Sequence, residues 1–518
     1  MESIILHQDN KIDDGKNDDD NNVNIEDGGS DDELKENSKF EIKKWIKNKS
    51  SNAAPVVRRK LEDLASKFIK FLGFVGPGYV IAVGYLDPGN WATDLAGGSQ
   101  FGYSLLFIIL CSNFMAMLLQ SLSIKLGVVT GMACKVFYPK YVGYVLYVLA
   151  ELAIIACDLA EVIGSAIALK MLFGLALPWG VAVTSLDVIV ILFIYRDDDL
   201  RSSKILEGLV MLLVAIVGIC FVLELRYSEP NPADVLKGYL PSSGIFTDSR
   251  QLYIAIGIIG ATVMPHNLYL HSHLVKVRKH REESKEINNK ENKLESGQDI
   301  ASTTSIFQSI VSHTITYSTI DSTAALTFAL FVNSSILIVA ASNFFYNESG
   351  SIEVADLFDA FDLLNQYLGK AAGTIFALAL LIAGQSSTLT ATIAGQIVME
   401  GFLGWTIRPW LRRLLTRIVA IVPAMLIAIF RGEQGLNEML VASQVALSIQ
   451  LPFAVIPLVY FTSSRKCMEI DIRKSIYFLN FKNTILLIIV SSIVSCIILF
   501  LDLFLVYSTI RSAIEGGD

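Results

Sequence analysis

Charge is scarce in this chain outside one end of it. Asp, Glu, Lys and Arg make up only 18% of the 518 residues, against about 25% in soluble domains. Residues 1 to 50 hold 14 acids against 8 lysines, so they carry −6 of the net −8, and the rest is close to neutral. The remaining basic residues form no surface interleaved with aromatics, which excludes a nucleic-acid partner. No Gly-x-x-x-x-Gly-Lys-[Ser/Thr] phosphate loop occurs, which excludes a nucleotide-driven machine. Cysteine is sparse and unpaired. Cys111, Cys134, Cys157, Cys220, Cys467 and Cys496 are scattered in or beside apolar runs without a Cys-x-x-Cys pair, so they read as buried thiols rather than a disulfide framework.

What fills the chain instead is apolar. Hydrophobic residues are 53% of it and the mean hydropathy is +0.50. Counting apolar segments of about 20 residues gives eleven expected membrane spans, centred near residues 85, 113, 157, 187, 215, 264, 328, 385, 421, 450 and 495. Basic residues alternate between their connections. Arg58 to Lys60, Lys125 to Lys140, Arg196 to Lys204, Lys276 to Lys293, Arg408 to Arg417 and Arg465 to Lys482 fall on one side, and few lie on the other. By the positive-inside rule the N-terminus is cytoplasmic, and eleven spans put the C-terminus outside.

Residues 1–66 form an acidic cytoplasmic tail with no apolar signal segment, too polar to bury a core and expected to be disordered. Residues 67–463 form a ten-helix core. Residues 464–518 hold a linker, an eleventh helix and a short tail. Asn347-Glu348-Ser349, in an outer loop, is a possible glycosylation acceptor at Asn347.

Two spans are broken at mid-membrane. Asp87-Pro88-Gly89-Asn90 interrupts the apolar run from Phe71 to Gly98, and Met264-Pro265-His266-Asn267 interrupts the run from Leu252 to Val275. In lipid an unpaired backbone group costs several kcal/mol, so such breaks occur only where protein or a polar cavity covers them. Proline removes a donor and glycine loosens the chain, which frees carbonyls at both places. The breaks fall in spans one and six, as two five-helix halves of inverted topology require, and matched breaks are the best sequence pointer to a transporter's binding site. One break brings a carboxylate and a carboxamide, the other a thioether, an imidazole and a carboxamide. Hard and soft donors meeting there point to a transition metal, since a thioether is of no use to Ca²⁺ or Mg²⁺. A helix cap is the alternative role for Asp87 and Asn90.

Span three holds a second constellation. Glu151, Asp158 and Glu161 are spaced i, i+7, i+10, within about 80° of one another on a helix. Buried carboxyl chains of this kind mark proton relays. Arg413 or Arg417 of span nine supplies opposite charge, with a packing ion pair as the alternative, while Arg412 and Arg413 also suit snorkelling anchors.

Asp87-Pro88-Gly89-Asn90 together with Met264-Pro265-His266-Asn267-Leu268-Tyr269-Leu270-His271-Ser272 resembles the NRAMP divalent-metal transporters. Gly384-Gln385-Ser386-Ser387-Thr388 and Gly395-Gln396 add to the match, which runs from about Phe71 to about Thr462. The resemblance implies an all-α polytopic membrane protein with a LeuT-like fold, two inverted five-helix repeats with broken first helices plus one extra C-terminal span.

It implies proton-coupled import of Mn²⁺ or Fe²⁺ to the cytosol, with metal and protons as transported species, no permanently bound cofactor and no enzymatic activity. Asp87, Asn90, Met264 and the Ala261 carbonyl become metal ligands. Asp158 and Glu161, with a span-nine arginine, match the proton exit, and His266 is linked to proton handling or helix movement. Gln444 matches a residue that closes over the metal, with a packing hydrogen bond as its alternative. His271 and His273 read as an ordinary polar face. The membrane is an acidic endosomal, phagosomal or vacuolar one, or the plasma membrane, and the oligomeric state stays open. The competing functions are an amino-acid or sodium-coupled symporter of the same architecture, which needs no anionic side chain at the break, and a receptor or channel, which needs neither the paired breaks nor the carboxyl stripe.

Overall fold

The computed structural model of the chain describes residues 78, 81, 84–130, 138–186, 216, 218–219, 221–223, 225–226, 228–291, 300–346, 356–367, 369–404, 408–471 and 478–514. The acidic head, Asn347, Cys134, Cys220 and most of the expected spans four and five lie outside them.

A 3₁₀ turn at Gly84–Leu86 stops at Asp87, and α1 (Pro88–Phe101) begins immediately after. The start is dictated locally. Asp87 has extended backbone and accepts from the Asn90 amide as an N-cap, and Pro88 sits at the first helical position, where an N–H would have no partner anyway. Gly102, at φ +59°, turns the chain into α2 (Leu106–Val129). α3 (Lys140–Phe173) ends on left-handed Gly174. The short helices α4 (Leu177–Thr184), α5 (Pro232–Gly238) and α6 (Gly244–Thr247) follow.

The second broken span consists of α7 (Ser249–Thr262), capped by the Asp248 carboxylate, and α8 (Pro265–Glu291), separated at Val263 and Met264. Next come α9 (Ile300–Ala340), which runs into a π-helical turn at Ala341–Phe345, then α10 (Leu357–Tyr367), α11 (Lys370–Leu403), α12 (Pro409–Phe430), α13 (Gly432–Ser463) and α14 (Ile485–Ile514).

Among the described residues eight stretches are long and apolar enough to cross a membrane. Expected spans one and two share the continuous stretch Gly84–Val129, and spans three and six to eleven each have their own. The all-α expectation needs one addition. In the linker before α14, β1 (Glu469–Asp471) pairs antiparallel with β2 (Phe478–Asn480), Ile470 opposite Leu479. The alternation Glu469-Ile470-Asp471-Ile472 has strand period, which the sequence reading passed over.

The helices exchange partners between halves. α1 packs on α9, while α8 packs on α2, so each broken helix leans on the second helix of the other half. α3 and α11, third in their halves, pack on each other, and α7 and α13 pack together. An inverted two-fold requires this exchange. The architecture is LeuT-like, with α14 added at the side of the other described spans, against α13 and α7. α14 remains peripheral: only 17% of its membrane-length window is buried, against 78% for α3. Cys111, Cys157, Cys467 and Cys496 are free. Cys157 and Cys467 are buried as expected, whereas Cys496 is exposed on the outward side of α14, where hydrocarbon accommodates a thiol.

Candidate metal centre

The two prolines define the centre. In an unbroken helix the N–H of residue i bonds the carbonyl of i−4. Pro88 and Pro265 have no N–H, so the carbonyls of Gly84 and Ala261 lose their helical donors. One side chain reaches both. Asn90 Nδ2 donates to Ala261 O at 3.0 Å and lies 3.4 Å from Gly84 O. The same nitrogen donates to Asp87 Oδ1 at 2.7 Å, and the Asn90 backbone N–H donates to that oxygen at 2.9 Å. Asp87 is fully buried, and its Oδ2 has no hydrogen-bond partner among the described residues. The cap reading of Asp87 is therefore right for one oxygen and leaves the other free.

The second break repeats the pattern. Asn267 Nδ2 donates to Met264 Sδ at 3.5 Å, three residues back, as Asn90 does to Asp87. Asn267 also crosses to the opposite break, since a Cβ on Gly84 would stand 2.4 Å from its Nδ2. Met264 is 1% exposed. Asp87, Asn90, the Ala261 carbonyl and Met264 thus lie on two crossing breaks linked by hydrogen bonds.

Gln444 of α13 lies over this place. A Cβ on Gly89 would stand 2.2 Å from Gln444 Nε2, which donates to Ser443 Oγ at 3.0 Å, while Oε1 has no partner among the described residues. His266 is buried at the break, and its Nδ1 has no partner among the described residues. His271 Nδ1 meets Gln120 Oε1 at 2.8 Å, and Gln120 in turn donates to the Tyr85 hydroxyl. That is a structural tie between α8 and α2, as expected for an ordinary polar face. His273 lines a cavity of about 240 Å³ with Tyr269, Lys276, Glu400 and Phe402.

The carboxyl stripe of α3 meets α12 over three arginines, and the structure divides their roles. Arg412 Nη2 holds both oxygens of Glu151, at 2.6 and 2.7 Å. Arg412 is therefore an ion-pair partner here, where the sequence also allowed a snorkelling anchor. Arg413 Nη1 pairs with Asp158, and its Nη2 lies 3.4 Å from Glu161 Oε2. Arg417 Nη1 lies 3.7 Å from the same Glu161 oxygen and donates to the Asp158 carbonyl at 3.4 Å. Both arginines that the sequence left in competition are engaged, and all four of these side chains are buried. Thr388 of α11 adds a 2.7 Å hydrogen bond to Glu161. This network abuts the first break. Gly164, three residues after Glu161, packs on Pro88 so closely that a Cβ would come within 2.3 Å of it.

Residues 78–508 match the family described as natural resistance-associated macrophage protein-like, Nramp. The chain is 52% identical over 404 residues to the divalent metal cation transporter MntH of Nostoc sp., covering 77% of this chain and 85% of that protein. It is 49% identical over 453 residues to MntH of Listeria innocua, covering 86% and 92%. The chain belongs to the Nramp family. In three dimensions it is similar to a crystal structure of a variant of the Eremococcus coleocola manganese transporter, at 35% identity and TM-score 0.70 over 86% of this chain and 88% of that one. Family membership makes this an integral-membrane transporter rather than an enzyme.

In this Nramp chain several buried polar residues escaped the sequence reading. Asn333 of α9 donates to Asn90 Oδ1 at 3.3 Å and to the Tyr85 carbonyl at 3.2 Å. Asp94 is buried, and neither of its carboxylate oxygens has a partner among the described residues. It stands seven residues after Asp87, nearly on the same helix face, and that spacing was the available signal. Asp321 of α9 accepts the Gly78 amide at 2.9 Å. Asp502 of α14 accepts from Ser448; a single acid inside an apolar span could have flagged it.

Proposed function

We propose that this chain moves Mn²⁺ and Fe²⁺, with protons, from the outside or an acidic lumen into the cytosol. One observation carries the reading: the Asn90 NH₂ group bridges Asp87 Oδ1 and Ala261 O at hydrogen-bond distance, with the Met264 thioether at the opposing break. An NH₂ held between a carboxylate and a freed carbonyl occupies the position that a cation of similar reach would take. A metal arriving there displaces the amide hydrogens, and Asn90 then presents its own oxygen. Asp87 supplies the anionic ligand, Asn90 and Ala261 the neutral oxygens, and Met264 the soft donor that disfavours Ca²⁺ and Mg²⁺. Gln444, whose amide lies against Gly89, is the arm that closes over the ion.

Proton coupling follows from the carboxylates. A metal binds ionised Asp87, so loading and proton release are linked there. Asp158 and Glu161, poised by Arg413 and Arg417 and packed through Gly164 against Pro88, form the proton route, with Glu151 and Arg412 at its end and His266 beside it. The N-terminus faces the cytosol in this reading, as the distribution of basic residues requires. A carboxylate at the break counts against an amino-acid symporter, whose substrate carboxylate it would repel.

The test is uptake into proteoliposomes with an imposed pH gradient and a panel of Mn²⁺, Fe²⁺, Cd²⁺, Ca²⁺ and Mg²⁺. Uptake of Mn²⁺ and Fe²⁺ accelerated by an acidic exterior, with Ca²⁺ and Mg²⁺ excluded, supports the reading. Metal uptake indifferent to the gradient removes the proton from it.

A further inference from the structure

α14 stands at the side of the other described spans and presents Ile489, Ile493, Phe500 and Leu503 outward. It nevertheless carries one carboxylic acid, Asp502, which is 5% exposed and turned inward. A carboxyl inside a span is costly in hydrocarbon, so its position calls for a partner and a role. The partner is Ser448 of α13, whose Oγ donates to Asp502 Oδ1 at 2.9 Å. Serines within these helices mostly bond back to their own backbone, as Ser443 does to Leu440 O and Ser491 to Leu487 O. Ser448 instead reaches across to α14.

The turn that Ser448 closes is the one that carries Gln444, four residues earlier and on the same face. Both broken spans press on it. A Cβ on Gly260 of α7 would stand 2.1 Å from the Gln444 carbonyl and 2.7 Å from the Ser448 nitrogen, and Gly89 lies directly beneath the Gln444 amide. With backbone packed this closely, a small rotation of α13 moves the Gln444 arm relative to Asp87 and Met264. Asp502 is the hydrogen-bond anchor of that turn on its outer side.

We propose that Asp502 is a positioning residue for metal occlusion: by holding Ser448 it fixes the rotation of the α13 turn that aims Gln444 at the ion. The proposal rests on Gln444 being the occluding arm. It gives α14 a part in transport through its hydrogen bond to α13.

The experiment measures initial rates of Mn²⁺ uptake by the full-length chain in proteoliposomes. Ser448→Ala and Asp502→Leu should each raise KM roughly five- to tenfold, the scale of one buried hydrogen bond, with little change in maximal rate. Asp502→Asn keeps an acceptor oxygen and should restore KM. Neither Ser448→Ala nor Asp502→Leu should add to the defect of Gln444→Ala. Ser448→Ala removes one oxygen from a helix interior, so it reports even where Asp502→Leu fails to insert. Additive defects in the Gln444→Ala background, a silent Ser448→Ala, or Asp502→Asn as impaired as Asp502→Leu would each overturn the proposal while leaving the arm intact. A Gln444→Ala protein with unchanged KM removes the arm itself, and the role of Asp502 with it.

Discussion

Asn267 stands to Met264 as Asn90 stands to Asp87: each carboxamide donates to the side chain three residues before it, at 3.5 Å to sulfur and 2.7 Å to oxygen. Each asparagine then crosses to the other break, Asn90 to the Ala261 carbonyl and Asn267 to the backbone at Gly84. The inverted repeat therefore extends to individual side chains. The two halves differ where it matters chemically, with a carboxylate in one and a thioether in the other.

That difference predicts selectivity. Met264→Ala should keep Mn²⁺ transport within about tenfold of the parent while admitting Ca²⁺ or Mg²⁺, because hard cations lose nothing with the sulfur. Competition of Ca²⁺ against Mn²⁺ uptake measures it. Continued exclusion of Ca²⁺ by the variant would take methionine out of the selection.

Asp87→Ala removes the proposed anionic ligand and the cap of α1 together. Metal uptake should fall to the level of protein-free vesicles, and calorimetry should detect no Mn²⁺ binding. The lost cap alone costs about 1 kcal/mol, too little to unfold the helix bundle, so the variant should still purify as a monodisperse protein. Residual saturable uptake would show that the site does not depend on this charge.

Asp158→Asn and Glu161→Gln should each retain Mn²⁺ affinity within about threefold while flattening the dependence of uptake on the pH gradient, since their carboxyls are held by Arg413, Arg417 and Thr388. Arg413 contacts both acids and Arg417 also contacts Glu161, so one acid still faces the arginines in each single variant. The double variant strips the pair of its carboxylates, and breaking a buried ion pair costs about 3–5 kcal/mol. Its thermal unfolding midpoint should drop well below that of either single variant. Loss of Mn²⁺ binding in both singles, as severe as in Asp87→Ala, would merge the two sites into one.

Gly127 is a point of close backbone approach between α2 and α8. A Cβ there would stand 2.0 Å from the Ser272 carbonyl oxygen and 2.7 Å from its Cα, and backbone cannot rotate away as a side chain can. Gly127→Ala should destabilise by about 1–3 kcal/mol, the usual range for overpacking. Gly143→Ala, with nothing within 4 Å of the new atom, should leave stability unchanged or raise it by up to about 1 kcal/mol. Equal melting temperatures for the two variants would mean that α8 shifts freely against α2.

Much of the centre was legible because its determinants are local. Pro88 and Pro265 break their helices wherever those helices are placed; the Ala261 carbonyl entered only through the family resemblance, and Gly84, four residues before Pro88, was not named although the same spacing reaches it. The stripe of Glu151, Asp158 and Glu161 is likewise a property of one helix. Partner choice is not local. Arg412, Arg413 and Arg417 lie within six residues, and only the contact of α12 with α3 assigns Arg412 to Glu151 and the other two to the inner pair. Asn333 and Asp502 come from helices whose relation to the breaks no periodicity encodes.

By itself, then, the sequence determined the apolar spans, the two broken helices and the donor types at each break, because hydrophobic length and proline geometry act within one segment. Tertiary structure decided which oxygens Asn90 bridges, that Gln444 lies over Gly89, and that a carboxyl of the peripheral α14 reaches Ser448. Those contacts join residues far apart in the chain, 171 positions for Asn90 and Ala261, and their geometry depends on how closely glycines such as Gly164 and Gly260 let the helices approach.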